Sequence, residues 1–110
     1  MSELFPDLVT KLPLAGVPVP GVTAYLLQAR DHQVLFMKFD EEVQVPPHSH
    51  GAQWGIVLEG AIDLTVDGVL HTYGRGDTYF IPAGVEHSAA VRAGYADVTF
   101  FEDRDRYKPK

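Results

Sequence analysis

Apolar and polar residues alternate in short runs along the chain, and residues that favour turns separate these runs. The run Ala61–Val66 shows the pattern most clearly, with Ile62 and Leu64 on one face and polar side chains between them. Such alternation indicates a strand with one buried face. Asp67-Gly68 follows directly, and an Asp-Gly pair between two apolar runs is a strong hairpin signal. The chain is therefore expected to contain antiparallel strands joined by tight turns.

Seven further runs of the same kind predict strands elsewhere in the sequence. The predicted strands are Val22–Gln28, Gln33–Asp40, Gln53–Leu58, Val69–Tyr73, Thr78–Ile81, Glu86–Arg92 and Tyr95–Phe101. Turn residues separate them at intervals of about 8–12 residues, and no stretch carries the pattern of a helix of three turns. Short strands at this spacing are typical of an all-β sandwich or barrel.

The two ends of the sequence differ from this pattern. Residues 1–20 hold four of the eight prolines, which interrupt regular structure, so an irregular N-terminal arm is predicted, with a short helical turn near Ser2–Thr10. Residues 21–102 are interpreted as one barrel domain, because a chain of this size is expected to build a single core. Residues 103–110 are predicted to form a charged and exposed tail, with Tyr107 as a candidate anchor.

Two polar stretches interrupt the apolar runs and carry the candidate chemistry. The first is Pro46–Trp54, in which His48 and His50 lie one residue apart. Two such side chains project to the same side of an extended backbone, and imidazole is the commonest metal ligand in proteins. Gly51 permits a bend, after which Gln53 can turn its side-chain oxygen toward the same point. This pattern by itself is a weak indication of a metal site.

The second polar stretch strengthens the interpretation. Together the two stretches resemble the two motifs of the cupin family. The second motif of that family, G-x5-P-x-G-x2-H, is met at Gly76, Pro82, Gly84 and His87. The spacing of all four residues agrees with the family pattern.

The first motif of the family, H-x-H-x(3,4)-E-x6-G, is met at His48, His50 and Gly60 with two departures. Gln53 stands where the family has glutamate, and the spacer after His50 has two residues. The two motifs span residues 46–91, and the flanking strands extend the resemblance to most of the chain. The resemblance implies an all-β fold, the double-stranded β-helix or jelly-roll barrel of the cupins, with the site inside the barrel.

The resemblance also implies that the cofactor is one divalent metal ion, chosen among Mn, Fe, Co, Ni, Cu and Zn. Its predicted ligands are His48, His50, Gln53 and His87. Three imidazoles and one amide oxygen are neutral, so they leave the charge of the ion uncancelled, and the site is expected to attract a small anionic ligand.

Asp97 is the candidate general acid or base, because burial in a pocket raises a carboxyl pKa toward a useful range. Alternation along Tyr95–Phe101 places Asp97 on one face with Thr99, and Val98 on the other. Both faces carry apolar residues, so the sequence leaves open which of them points inward. The candidate pocket walls are Tyr25, Met37, Trp54, Ile62 and Phe80, and for each of them a place in the core or at an interface is the favoured alternative.

Three functions are compatible with these residues. The first is an enzyme that uses the metal as a Lewis acid on a small carboxylate or sugar acid, for isomerisation or ring opening. The ligand set is similar to that of the small pectin-degradation cupins, to whose aspartate, phenylalanine and arginine Asp97, Phe100 and Arg104 correspond loosely. The alternatives are a mononuclear metal dioxygenase and a non-enzymatic barrel that binds a metal or a small molecule.

Composition narrows the partners. The net charge is -6 and no basic run occurs, which disfavours nucleic acid. The chain has no cysteine, and no apolar stretch approaches the roughly 18 residues of a membrane span. The first residues lack the pattern of a signal peptide, so a cytoplasmic protein is expected. A homodimer is expected because an open sandwich has edges and apolar faces to cover, and because cupins commonly pair.

Overall fold

The structure, a computed structural model, describes residues 4–110. Within this range one helix, α1 (Asp7–Thr10), precedes nine strands. The strands are β1 (Val22–Gln28), β2 (Gln33–Phe39), β3 (Val43–His48), β4 (Gln53–Glu59), β5 (Ala61–Val66), β6 (Val69–Gly74), β7 (Thr78–Ile81), β8 (His87–Val91) and β9 (Ala96–Phe101). All eight predicted strands are present, and each end lies within one residue of its predicted position. The helical turn predicted near Ser2–Thr10 corresponds to α1, and the part of that prediction before residue 4 lies outside the described residues.

β3 is a strand that the apolar and polar pattern does not predict. It contains Pro46 and Pro47, which have no backbone N–H to donate to a neighbouring strand. β3 tolerates them because it is an edge strand that pairs only with β8. The register of this pairing shifts between Val45 and His48, so the two prolines lie at an irregularity in the ladder.

Two antiparallel sheets form the barrel. The larger sheet has the strand order β1-β2-β9-β4-β7, and the smaller has the order β3-β8-β5-β6. Buried apolar residues from both sheets form a single core between them. The predicted all-β jelly-roll barrel is confirmed.

Alternation along the strands decides which residues face the interior. In β2, Leu35 is buried and Phe36 is half-buried on the opposite face. In β9, Asp97 and Thr99 are buried, whereas Phe100 is exposed. The sequence did not show which face of this strand points inward. The structure shows that the face with Asp97 points into the barrel.

The same alternation corrects part of the predicted pocket wall. Met37 and Ile62 line the cavity inside the barrel, as predicted. Trp54 and Phe80 are 44% and 59% exposed, because each lies next to an inward residue and so faces outward. Tyr25 also lies on the outer face, where an aromatic ring of the arm packs against it with ring centroids 6.1 Å apart. These three candidate aromatic residues therefore do not line the cavity.

The charged tail folds onto the barrel. Gln33 Nε2 donates to the Tyr107 carbonyl at 2.7 Å, and the Tyr107 N–H donates to Gln33 Oε1 at 3.0 Å. The Gly16 N–H of the arm donates to the Lys108 carbonyl at 2.7 Å. Tyr107 is therefore the anchor that the sequence indicates. The prediction of an exposed tail is wrong for Asp103 and Arg106, which are half-buried.

The division of the chain into segments and its cytoplasmic location are predictions that the structure does not test. The division into an arm (1–20), a barrel (21–102) and a tail (103–110) stays a prediction, and both arm and tail hydrogen-bond to the barrel. Between residues 4 and 110, no helix has the length and apolar character needed to cross a membrane. The cytoplasmic location stays a prediction.

Candidate metal centre

Three histidines from two neighbouring strands and a loop meet inside the barrel. His48 ends β3, His87 begins β8, and the two residues are paired in register. His50 lies in the loop between β3 and β4. The sequence argument assumed one extended strand through both His48 and His50. In the structure the strand ends at His48, and His50 lies beyond it. The turn of the loop brings their imidazoles together.

This loop is held from two sides. The Gly84 N–H donates to the His50 carbonyl at 2.9 Å, and the Gly51 N–H donates to Asp103 Oδ2 at 2.9 Å. Gly84 has a φ of +76°, a conformation that residues with a side chain rarely adopt. A Cβ atom on Gly51 would crowd the Asp103 carboxyl group. Both glycines thus serve the position of His50.

In each of the three histidines, Nδ1 lies within hydrogen-bond distance of a backbone carbonyl oxygen. The carbonyls that accept from His48, His50 and His87 are those of Pro46, Gly51 and Val85, at 2.9, 2.8 and 3.0 Å. A carbonyl oxygen only accepts, so Nδ1 carries the proton of the neutral ring and Nε2 keeps its lone pair. This tautomer is the one in which an imidazole binds a metal through Nε2.

The ligand nitrogens of His48, His50 and His87 all lie within 4.8 Å of one another. His50 Nε2 and His87 Nε2 are 3.1 Å apart, and two lone pairs that face each other at this distance need a proton or a cation between them. Burial lowers the pKa of both His50 and His87, and the charge of Arg106 adds to this effect against the backbone hydrogen bonds. The neutral form is favoured, so the donor set fits a metal ion better than a shared proton.

Gln53, the fourth predicted ligand, is the first residue of β4 and lines the same cavity. Its Nε2 donates to Thr99 Oγ1 at 3.1 Å, which orients the amide and leaves Oε1 as the atom able to bind a ligand. Thr99 Oγ1 donates in turn to the Trp54 carbonyl at 3.3 Å. The structure thus brings the three histidines together and places Gln53 in the cavity beside them.

Asp97 lies on the opposite sheet, outside the histidine cluster, and is 3% exposed. Its Oδ2 accepts hydrogen bonds from the hydroxyl groups of Tyr79 at 2.8 Å and Tyr95 at 2.7 Å, whereas Oδ1 has no hydrogen-bond partner. Burial raises the pKa of Asp97 to about 6, and the two tyrosine hydrogen bonds oppose this shift. Burial and the Asp97 charge also raise the pKa of Tyr79 and Tyr95, so both remain donors.

A row of close polar contacts lies between the predicted acid and the predicted amide ligand. The Tyr79 hydroxyl, which donates to Asp97, lies 3.5 Å from Thr99 Oγ1, and Thr99 Oγ1 accepts from Gln53. The buried carboxyl group and the three histidines thus line the same cavity from opposite sheets.

Arg106 is a cavity residue that the sequence argument misses. Its guanidinium carbon lies 4.9 Å from the Tyr107 ring centroid and 5.9 Å from that of Phe101, and its Nε is buried without a hydrogen-bond partner. Arg104, the residue named from the sequence, is exposed and does not line the cavity. Likewise Phe101 faces the cavity and Phe100 faces outward. The sequence signal that could have indicated Arg106 is the candidate anchor Tyr107, because an aromatic residue held on the barrel also fixes the position of the residue before it.

Two antiparallel sheets around a cavity of about 550 Å³, with three converging histidines, define a small jelly-roll barrel that carries the donors of a metal site. The sequence model of the cupin domain matches residues 35–101. The chain belongs to the cupin family, and the resemblance found in its two motifs is confirmed. None of the curated proteins compared with the chain matches its sequence.

Solved structures of similar fold cover most of the chain. An RmlC-like cupin from Shewanella frigidimarina shares 25% identity at a TM-score of 0.73, over 91% of this chain and 90% of that one. KdgF from Halomonas sp. shares 22% identity at a TM-score of 0.72, over 96% of this chain and 97% of that one. An oxalate decarboxylase from Bacillus subtilis, a protein with Mn(II) centres, shares 21% identity at a TM-score of 0.66, over 77% of this chain and 26% of that one. These likenesses support the fold.

Asp97→Asn is expected to change how stability depends on pH. Folding raises the pKa of Asp97 from 3.8 to about 6, so the folded state holds the proton more tightly and stability falls as pH rises through that window. Asparagine keeps an oxygen that accepts from both tyrosines and carries no charge. Relative to the parent, the variant is expected to gain up to about 3 kcal/mol between pH values below and above this window. Urea denaturation of the metal-free proteins measures the difference.

Asp63→Asn is the matched control, because Asp63 is an exposed carboxylate that accepts from Thr72 Oγ1 at 2.7 Å. The control is expected to show no comparable gain. If the difference between Asp97→Asn and the parent is the same on both sides of the window, Asp97 does not titrate as the structure implies.

Proposed function

We propose that this protein is a metal-dependent enzyme that acts on a small carboxylate or sugar acid. The observation that carries the proposal is the convergence of three imidazoles, each with Nδ1 bonded to a backbone carbonyl and Nε2 available to a ligand. His48, His50 and His87 would hold one divalent ion, with Gln53 Oε1 as the fourth ligand. The bound ion would polarise a carbonyl or hydroxyl group of the substrate as a Lewis acid.

The proposal concerns the donor set and not one particular ion. Imidazole nitrogen combined with amide oxygen suits several first-row divalent ions, which are Mn, Fe, Co, Ni, Cu and Zn. All four donors are neutral, so none of them offsets the positive charge of the ion. This electrostatic property does not depend on which ion is bound.

Charge in the cavity favours an anionic substrate. Arg106 adds a guanidinium group, whose buried Nε has no hydrogen-bond partner, to the wall that also holds the histidines. In a cavity of reduced dielectric, the attraction of a cation for an anion is stronger than in water. A carboxylate offers two acceptor oxygens, which suit the planar donors of arginine.

Asp97 is the proposed acid–base group. Isomerisation and ring opening both require a proton to leave one atom of the substrate and return to another. The two tyrosines hold Oδ2, and Oδ1 remains free to take or release that proton. A pKa of about 6 allows both protonation states near neutral pH.

His48→Ala and His87→Ala are each expected to lower the affinity for zinc(II) by about 100-fold or more, because each removes one of a few ligands. His71→Ala is the control, since His71 is exposed on β6 and outside the cluster. Competition with a chromophoric chelator measures the affinities. Zinc(II) affinity that is unchanged in the double variant His48→Ala, His87→Ala would exclude the site.

The fold is expected to survive removal of the metal, because strands of both sheets supply the core. Metal binding should still raise the melting temperature by mass action. Circular dichroism before and after treatment with a chelator measures both effects. Loss of the β signal on chelation would show that the metal is structural, which contradicts the catalytic proposal.

Arg106→Gln is expected to weaken acetate binding to the zinc(II)-loaded protein by about tenfold, because a charge-assisted contact is lost. Arg104→Gln removes an exposed arginine two positions away and is expected to leave the affinity unchanged.

Gln53→Glu should also weaken the binding of acetate, because it adds a negative charge beside the ligand. Calorimetric titration at equal metal occupancy measures all three. Equal affinity in Gln53→Glu and the parent would show that Gln53 is not a ligand.

The zinc(II)-loaded protein is expected to exchange the hydrogens next to the carbonyl of a small 2-oxo acid with D2O. Asp97→Asn should slow this exchange by about 100-fold or more, since it removes the group that carries the proton. Proton NMR follows the exchange, and Asp63→Asn is the control. The exchange is expected to be as fast without dissolved oxygen as with it. A requirement for oxygen would favour the dioxygenase alternative.

We further propose that a second copy of the chain covers the outer face of the larger sheet. Trp54, Phe80 and Phe100 lie side by side on β4, β7 and β9 and are 44%, 59% and 40% exposed. Neighbouring exposed aromatic rings of this size are typical of interfaces.

Sedimentation is expected to show a dimer at micromolar concentration for the parent chain. Phe80→Lys should shift it to a monomer, because a charge would be buried at the interface. Leu70→Lys is the control, since Leu70 is 64% exposed on the smaller sheet. A parent chain that sediments as a monomer would exclude the dimer.

A further inference from the structure

We propose that the natural ligand of this cavity is an amphipathic carboxylate, with its head at the histidines and Arg106 and an apolar body in the barrel interior. The inference rests on the proposed function, because it takes an anion site at the histidines as given. It goes further by choosing among anions, and it favours an acyl or aryl carboxylate over a sugar acid. The distribution of polar and apolar side chains around the cavity supports this choice.

Apolar side chains form most of the cavity wall beyond the histidines, and the hydrogen-bonded cluster around Asp97 lies beside them, with Asp97 paired to Met37 across β9 and β2. Six large or branched apolar side chains from four strands face this part of the cavity. They are Met37, Phe39, Val43, Ile62, Leu64 and Val91. None of these side chains donates or accepts a hydrogen bond, so a hydroxylated ligand would lose its bonds to water here without replacement. We call this part of the cavity the apolar lobe.

The apolar lobe is long enough to hold the body of a ligand. His48 is paired with His87 at one end of the β3–β8 ladder, and Val43 is paired with Val91 at the other. Four residues of β8 separate these two levels, which is about 13 Å at 3.3 Å per residue. The whole cavity measures about 550 Å³, within the usual range for ligands much larger than acetate.

The polar groups that do face the cavity are largely occupied by one another. The hydroxyl groups of Tyr79 and Tyr95 both donate to Asp97 Oδ2. Gln53 Nε2 donates to Thr99 Oγ1. Asp97 Oδ1 and Arg106 Nε are the buried side-chain atoms left without a partner within residues 4–110. Together with the predicted metal ligands, these two atoms can orient a head group and one proton, whereas the six side chains of the apolar lobe offer no partner to a ring that carries a hydroxyl on nearly every carbon.

The N-terminal arm contributes apolar side chains to the same cavity. Val17 and Val19 are half-buried and line it, together with Pro18, which is more exposed to solvent. The Gly16 N–H donates to the Lys108 carbonyl, which holds the arm beside the tail that carries Arg106. The arm therefore adds an apolar wall next to the positively charged one, as an amphipathic ligand requires.

The test is calorimetric titration of the zinc(II)-loaded protein with straight-chain carboxylates from acetate to octanoate. Affinity is expected to rise about threefold to fourfold for each added methylene group, until the apolar lobe is filled. Hexanoate and galacturonate form a matched pair, because both have six carbons and one carboxylate. Hexanoate should bind more tightly than galacturonate. Adipate, a six-carbon dicarboxylate, should bind more weakly than hexanoate because its second charge would enter the apolar lobe.

A double variant in the arm, Val17→Thr with Val19→Thr, keeps side-chain shape and adds hydroxyl groups. It is expected to weaken the binding of octanoate by about threefold or more and to leave the affinity for acetate unchanged, since acetate does not reach the apolar wall. Val69→Thr makes the same change at a residue that is 55% exposed on β6 and serves as the control. Melting temperatures of the variants separate a change in ligand contact from a loss of folding.

The outcomes separate this inference from the proposed function. Affinities that do not rise with chain length, or galacturonate binding more tightly than hexanoate, would overturn the inference and leave the anion site intact. If neither acetate nor hexanoate binds in the presence of zinc(II), the proposed function fails as well. A chain-length series that is equally steep in the arm variant would place the apolar body away from the arm and would contradict the assigned wall.

Discussion

Both sheets turn their inner faces toward one shared interior, and the alternation of side chains along each strand decides what that interior contains. A shift of one residue in register would exchange the inner and outer faces of a strand. β9 shows the consequence, because Thr99 and Phe101 face inward while Phe100 faces solvent. Asp97 is buried for the same reason that Trp54 is exposed, and the chemistry of the site depends on this single geometric rule.

The histidine cluster is fixed mainly by backbone atoms. Three carbonyl oxygens hold the Nδ1 atoms, so the orientation of each ring depends on the path of the chain and not on other flexible side chains. Gly84 and Asp103, which lie far apart in the sequence, hold the loop that carries His50. Such preorganisation lowers the conformational entropy lost when the nitrogens converge on one ion.

Charge is distributed unevenly between the surface and the cavity. The chain has a net charge of -6, yet the cavity wall combines three histidines with Arg106. Asp97, the fully buried carboxyl group within residues 4–110, has a raised pKa because burial disfavours its charged form. An anion that enters the cavity therefore meets positive charge near the histidines and a carboxyl group that readily becomes neutral.

The sequence by itself determined the eight predicted strands, the all-β class and the three histidines, because these depend on local alternation and on fixed motif spacing. It could not predict β3, since two prolines hide an edge strand whose partner is 39 or more residues away in the chain. It named Arg104 and Phe100 where the structure places Arg106 and Phe101 at the cavity. Only the tertiary structure decided these points, because the direction of a side chain in a tail or a last strand depends on what packs against it from distant parts of the chain.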